Sequence, residues 1–167
     1  MSEMIDIYDE NRNKTGLVLP RKTKLEKGQY MLYVIALIEN GNGQYLVTQR
    51  TMDKKWAAGH WEIPGGGVAA GESAFQAVCR EVFEETGLDT SNCEEKVIYS
   101  YRNEDLERGD NYFTDIFVLN IDFTLEDVKV DPEEVMDVKL ADVKEIKRLN
   151  DEIGFLHYKR ICEALGI

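Results

Sequence analysis

The chain has 167 residues and a formal net charge of −12, with 43% hydrophobic and 31% charged residues. This length suffices for one domain with an apolar core. The negative charge argues against a protein that binds a nucleic acid polymer, because such a protein needs a clustered positive surface. The N-terminus lacks the basic start of a signal peptide, and three cysteines without metal-ligand spacing indicate free thiols. We predict a single cytoplasmic domain over residues 1–167 with no membrane span.

The first predicted element is a β-hairpin within an N-terminal extension, residues 1–29. Residues 4–8 alternate in polarity, and the segment LVLPR follows a polar turn. Asp9, Asn11 and Asn13 of that turn resemble the first positions of an EF-hand loop. The glycine and the final glutamate of such a loop are absent, so the pattern predicts a turn and not a calcium site.

The next segments predict three strands and a helix. Residues 30–38 (YMLYVIALI) are apolar and β-branched, which indicates a buried central strand. QYLVTQR is the expected returning strand, and a short strand at WEI ends at Pro64 and three glycines. A helix follows from about Ser73 to Thr86, with a capping box between Ser73 and Gln76 and a terminating glycine at Gly87.

The chain from residue 94 onwards predicts three strands and two helices. EEKVIYSY and NYFTDIFVLNI indicate two strands on either side of a charged loop, and residues 135–140 indicate another. ADVKEIKRL is typical of a short helix, and a C-terminal helix is expected within residues 150–167. Strands on both sides of the first helix favour one layered α/β domain with a mixed sheet.

The first helix carries three glutamates whose spacing indicates a metal site. Glu81, Glu84 and Glu85 lie at i, i+3 and i+4, which is one face of a helix. Their mutual repulsion would be relieved by a divalent cation with oxygen ligands. A helical wheel places Ala74 and Ala77 among these acids, which predicts room for an ion. For the three glutamates alone, a solvated acidic face is the alternative.

The segment GGVAAGESAFQAVCREVFEETGL, which starts at Gly66, resembles the Nudix box, the signature of Nudix hydrolases. Five residues separate Gly66 from Glu72, and seven more precede Arg80. The fixed positions that match are Gly66, Glu72, Arg80, Glu81, Glu84, Glu85 and Gly87. Neighbouring segments extend the resemblance to about residues 30–150.

The resemblance implies an α/β/α sandwich around a mixed β-sheet and hydrolysis of a small-molecule diphosphate by water attack on phosphorus. The implied ligands of Mg²⁺ or Mn²⁺ are the Gly66 carbonyl, Glu81, Glu84 and Glu85. It further implies that Glu81 is the base or the main metal ligand, that Arg80 orients Glu81, and that Glu72 supports the loop. Relatives often dimerise, so a homodimer is left open.

Residues outside the box are candidates for the remaining roles. A general base is expected just before the last strand at Glu134 or Glu133, with Glu104 as second candidate. The alternative for each is a solvated surface position.

The substrate contacts are predicted between the second strand of the central group and the box. Arg50, Lys54 and Lys55 could meet phosphates or flank a solvated loop, and Trp56 could stack on a base or anchor the chain. From this group we take Arg50, Lys55 and Trp56 as substrate-binding candidates. We expect the loop 101–110 and the segment 56–61 to determine specificity.

Three other functions have partial matches in the sequence. The flanking segments are similar to isopentenyl diphosphate isomerases, but the strand WEIPGGG lacks their catalytic cysteine, and Cys79 lies inside the helix. A nucleotide-binding module that has lost turnover is also possible in principle, although no metal position is degraded. A dinucleotide fingerprint at Gly65-x-Gly67-x-x-Ala70 would need a βαβ unit and no metal, which suits the acidic helix poorly.

Overall fold

Nine strands and three α-helices make up the fold in the computed structural model, which describes residues 3–167. The strands are β1 (Met4–Tyr8), β2 (Lys14–Pro20), β3 (Met31–Glu39), β4 (Tyr45–Arg50), β5 (Trp61–Glu62), β6 (Gly65–Gly67), β7 (Val97–Asn103), β8 (Tyr112–Asn120) and β9 (Val135–Ala141). The helices are α1 (Ala74–Thr86), α2 (Val143–Glu152) and α3 (Tyr158–Leu165). None of these helices has the length and apolarity needed to cross a bilayer.

Strand β3 lies at the centre of the larger sheet, in which the strand order is β5-β4-β3-β8-β7. It runs parallel to β8 along its whole length, whereas the other pairings are antiparallel. Strand β4 pairs with β3 only at Tyr45 opposite Glu39, and β6 pairs with β3 at Tyr33–Ile35. The predicted mixed sheet of an α/β domain is confirmed.

The two faces of β3 bury different helices. Val34 and Ala36 belong to the core that α1 covers, and Ile35 and Leu37 belong to the core under α2 and α3. All four side chains are buried. The alternation follows from the two-residue period of a strand, and it produces the predicted α/β/α sandwich.

The N-terminal hairpin of β1 and β2 packs against this sandwich. Ile5 and Ile7 form a buried cluster with Leu25 and Met31. At the hairpin turn, Asp9 accepts hydrogen bonds from two following backbone amides, at Asn11 and Asn13, so the segment is a turn as predicted.

Two local predictions differ from the structure. The glycines after Pro64 do not simply end a strand, because Gly65–Gly67 is itself the strand β6 that pairs with β3. Ala74 and Ala77 do not leave room among the glutamates: Ala77 is fully buried, and both alanines pack in the core between α1 and the sheet. The buried face of α1 is wider than the helical wheel suggested, and its edge includes Glu81.

Candidate active site

Helix α1 is fixed at both ends and along one face, and this sets the direction of its acids. Ser73 and Gln76 form the predicted capping box at its start, and Gly87 ends it with a left-handed backbone, φ 72°. Val78 and Val82 are fully buried against the sheet. The acidic side chains at its C-terminal half therefore project from the edge of a rigid element.

Gly66 lies in direct contact with the Glu81 carboxylate. A β-carbon built on Gly66 would lie 2.4 Å from Oε1 of Glu81 and 2.5 Å from its carboxyl carbon. Glu81 is 9% exposed, so its carboxylate has little space to move away. The absence of a side chain at this position lets the strand backbone and the carboxylate occupy one small volume.

Arg80 connects the loop to the acidic face. Its Nε and Nη2 donate to the two oxygens of Glu72 at 2.7 and 2.9 Å, and Nη1 donates to Oε1 of Glu81 at 2.9 Å. Nη2 also donates to the carbonyl oxygen of Gly67 at 3.2 Å. The side-chain hydrogen bonds with Glu72 raise the pKa of Arg80, and the same hydrogen bonds lower the pKa of Glu72. The guanidinium thus holds Glu81 and the β6 backbone in one network.

Glu85 is the acid most strongly affected by its surroundings. Its Oε2 accepts a hydrogen bond from the Gly65 amide at 3.2 Å. Burial raises the pKa of Glu85 well above its usual range, and repulsion from Glu81 adds to the increase. Glu84 is different, because 57% of its side chain is exposed and its contact is with Arg80 at 3.3 Å.

The residues present fit a hard divalent cation. In residues 3–167, no three acidic, histidine or cysteine side chains are already arranged as a closed metal cage. The donors nevertheless include two mutually repelling carboxylates beside a glycine backbone, Glu81 and Glu85, with the exposed carboxylate of Glu84 next to them. Oxygen donors of this kind suit Mg²⁺ or Mn²⁺, and a cation would offset the repulsion that raises the pKa of Glu85.

A cavity of about 350 Å³ brings Glu84 and Glu85 of α1 together with Glu134. Its lining includes Glu84, Glu85, Gly65, Glu62, Arg50, Lys54 and Glu134. Glu134 forms an ion pair with Lys54. The other two candidates for the base lie elsewhere. Glu133 lines a neighbouring open depression, and Glu104 accepts a hydrogen bond from the Tyr30 hydroxyl.

The model of the NUDIX domain family matches residues 29–161. This chain belongs to the Nudix family. An uncharacterised Nudix hydrolase of Listeria monocytogenes is 33% identical over 156 residues, which cover 92% of this chain and 88% of that protein. An RNA pyrophosphohydrolase of Edwardsiella ictaluri is 40% identical over 67 residues, 40% of this chain and 34% of that protein.

The fold comparison agrees with the sequence comparison. The crystal structure of DR0079 from Deinococcus radiodurans matches with a TM-score of 0.75 at 18% identity, covering 97% of this chain and 99% of that chain. That likeness shows the same fold over almost the whole length of both chains. The chain is therefore an enzyme of the Nudix hydrolase family with pyrophosphohydrolases among its relatives.

In this Nudix hydrolase, Arg50 holds the loop that carries Trp56. The Arg50 guanidinium donates twice to the Trp56 carbonyl oxygen, at 3.1 and 3.3 Å, and once to Glu62 at 3.3 Å. It also lies over the Trp56 ring, 5.4 Å from its centroid. The Trp56 side chain remains 64% exposed, whereas Trp61 is buried in the core under α2 and α3.

Lys55 does not line the cavity that contains Glu84 and Glu85. It lies at an open depression with Lys54, Glu133 and Glu134. Of the three predicted substrate-binding residues, Arg50 lines the cavity of Glu84 and Glu85, Trp56 lines the adjoining cavity that contains Gly66, and Lys55 lines neither. Their contacts with a substrate stay predictions.

A second cavity of about 350 Å³ adjoins the first through three shared residues, Arg50, Glu62 and Gly65. It also contains Gly66 and Trp56, and its polar lining further includes Arg21, Tyr33, Asp110 and Tyr112. No motif identifies these four, because they come from three distant segments. Asp110 alone falls within the loop that was predicted to select the substrate.

Proposed function

We propose that this Nudix hydrolase cleaves a diphosphate linkage in a nucleoside diphosphate derivative or related small molecule, with water attacking phosphorus and Mg²⁺ or Mn²⁺ as cofactor. The observation that carries the proposal is the contact of Gly66 with the buried Glu81 carboxylate. Gly66 lines one substrate-sized cavity, and Glu85, which Glu81 repels, lines the adjoining one. The Edwardsiella relative is named for pyrophosphohydrolysis, which is the same class of reaction.

The residues that would hold the cation are the Gly66 carbonyl, Glu81, Glu84 and Glu85. When bound there, a divalent cation supplies charge for the phosphate oxygens and lowers the pKa of a bound water. The protein's own side chains hold the proposed metal ligand Glu81 in position. Arg80 keeps Glu81 in place through its 2.9 Å hydrogen bond, and Glu72 keeps Arg80 in place through two more.

Glu134 is our candidate for the proton acceptor of the attacking water. It lines the same cavity as Glu84 and Glu85, and its side chain is 58% exposed. Lys54 forms an ion pair with this carboxylate and lines the same cavity.

The alternative of an isopentenyl diphosphate isomerase receives no support from the position of the cysteines. Cys79 packs against the core between α1 and the sheet, on the face of the helix that does not carry the acids. Isomerisation of isopentenyl diphosphate by the purified protein would overturn our assignment of hydrolysis.

The decisive experiment is an assay of nucleoside diphosphate derivatives with Mg²⁺ and with Mn²⁺, with products identified by mass spectrometry. We expect metal-dependent release of two phosphate-bearing products for at least one compound. Glu84→Gln should lose this turnover and also the thermal stabilisation by the metal, whereas the exposed control Glu95→Gln should keep both. Binding of a nucleotide without turnover by the wild-type protein would identify a binding module instead.

A further inference from the structure

The second cavity is lined in part by Arg21, which lies outside the segment that matches the NUDIX domain family. The NUDIX match begins at residue 29, and Arg21 precedes it, directly after β2. Its backbone amide donates to the Glu3 carbonyl oxygen at 2.8 Å, which closes the hairpin at this point. The guanidinium reaches the cavity that contains Gly66, so the N-terminal hairpin supplies part of the cavity wall.

Arg21 and the α1 residue Glu81 contact opposite sides of the glycine strand β6. A β-carbon on Gly66 would meet the Glu81 carboxylate, whereas one on Gly67 would lie 3.1 Å from both Nε and Cζ of Arg21. Neighbouring residues of a strand point to opposite faces, and their α-carbons are about 3.8 Å apart. The guanidinium is therefore only one residue away, along the backbone, from the carbonyl that we assign to the metal.

The guanidinium has donors left for a ligand. Among residues 3–167, its side-chain ion pair is with Glu3, from Nη1 at 3.0 Å, and 38% of its side chain is exposed. A guanidinium carries five N–H groups, so the pair with Glu3 and a contact with the Tyr33 hydroxyl leave further N–H donors available. Arg50, the other arginine of the cavity, already donates to Trp56 and Glu62.

The surroundings of Arg21 suit a group with both charge and polar atoms. Tyr33 and Tyr112 stand edge to face, with ring centroids 5.0 Å apart, and Asp110 lies beside them. Burial raises the pKa of both tyrosines, so they stay neutral hydroxyl donors. An apolar tail would leave these polar groups without partners, which costs binding energy.

We propose that Arg21 is a specificity-determining residue. It binds one phosphate of the substrate diphosphate, the one further from Glu81, Glu84 and Glu85. The N-terminal hairpin thereby forms part of the substrate site. The inference rests on the proposed function, since it takes the diphosphate to lie across β6. A guanidinium binds phosphate oxygens through paired, charge-assisted hydrogen bonds, which lysine and glutamine cannot reproduce.

The experiment compares three variants of the full chain with the best substrate of the assay above. Arg21→Gln should raise KM about tenfold or more and change kcat by less than about threefold, and Arg21→Lys should recover part of the loss. Lys22→Gln removes the same charge from the next, exposed position and should leave KM unchanged. Equal KM values for Arg21→Gln and Lys22→Gln would overturn the proposal.

Two further measurements separate this proposal from a structural role and from the proposed function. Glu3→Gln removes the ion pair of Arg21 but keeps its guanidinium, so KM should be unchanged or lower, and a rise equal to that of Arg21→Gln would indicate hairpin docking instead. Calorimetric titration with inorganic pyrophosphate and Mg²⁺ tests binding without turnover. Binding should be about tenfold weaker in Arg21→Gln. Absence of pyrophosphate binding to the wild-type protein would contradict our inference even if hydrolysis is found.

Discussion

The α-carbon of Gly66 is packed so closely against Glu81 that a β-carbon there would lie 2.4 Å from the carboxylate oxygen Oε1. Nη1 of Arg80 donates a hydrogen bond to that same oxygen at 2.9 Å. The position of the Glu81 carboxylate is thus determined by a missing side chain on the strand and by a guanidinium on the helix. Both are part of the signature, and the structure explains why neither could vary without moving the acid.

Substitution of Gly66 by alanine should displace Glu81 and weaken metal binding. We expect the affinity for Mn²⁺ to fall at least about tenfold and the unfolding free energy to fall by about 1–2 kcal/mol, because a methyl group overpacks a buried contact. Calorimetric titration with Mn²⁺ and urea unfolding measure the two effects. Gly67→Ala is the matched control, since its β-carbon meets the flexible Arg21 side chain, and it should retain the metal affinity.

Replacement of Glu85 by glutamine should stabilise the metal-free protein in a pH-dependent way. Burial and Glu81 raise the pKa of Glu85 in the folded state, so the folded state binds a proton that the unfolded state has already released. The wild-type protein should therefore lose stability as the pH rises above about 4.3, the unperturbed pKa of glutamate. Glutamine does not titrate, so the Glu85→Gln variant should not show this loss of stability with rising pH.

Thermal unfolding in a chelating buffer between pH 5 and pH 8 tests this prediction. The Tm of Glu85→Gln should exceed that of the wild type by an amount that grows with pH. With saturating Mg²⁺ the order should reverse, because the cation stabilises only the wild-type carboxylate. A Tm difference that does not vary with pH would mean that Glu85 is ionised in the metal-free protein.

Substitution of Glu134 by glutamine should lower kcat by about a hundredfold, with little effect on KM, if its carboxylate accepts the proton from water. Glu133→Gln is the matched control, because Glu133 is adjacent but lines the neighbouring depression. The acidic limb of the pH–rate profile should also change in Glu134→Gln alone. Equal rates for the two variants would place the base elsewhere, with Glu81 as the next candidate.

Removal of Arg12 should destabilise the docked hairpin. Its guanidinium donates to both oxygens of the buried Asp115 at 2.7 and 2.5 Å, and Ser100 donates to the same carboxylate at 2.6 Å. Arg12→Gln should lower the unfolding free energy by about 2 kcal/mol, because Asp115 then lacks its counter-charge in a buried position. Urea unfolding measures this. The control is removal of the exposed ion pair between Arg108 and Asp105, at 3.9 Å, which should change the unfolding free energy little.

Much of the acidic site could be predicted because it depends on short-range geometry. The capping box at Ser73, the terminating Gly87 and the shared face of the three glutamates all follow from the helical repeat. The prediction for Ala77 failed for a tertiary reason. A helix that packs on a twisted sheet buries a broad face, and only the sheet determines where that face ends.

The substrate side could not be predicted, since it depends on contacts between segments distant in sequence. No local pattern could show that Arg50 would donate to the Trp56 carbonyl and Glu62 and so have its donors occupied. Nor could one show that Arg21 would meet Gly67. Both contacts exist because β3 pairs with β6 and the hairpin packs beside them.

By itself the sequence determined the family, the mixed α/β fold and the acids that we propose as metal ligands, because residue spacing along one helix and one loop is enough to define them. Only the tertiary structure decided which side chains surround the rest of the substrate. That choice depends on strand pairing, which brings Arg21 and Asp110 into one cavity with Tyr33 although many residues separate them along the chain.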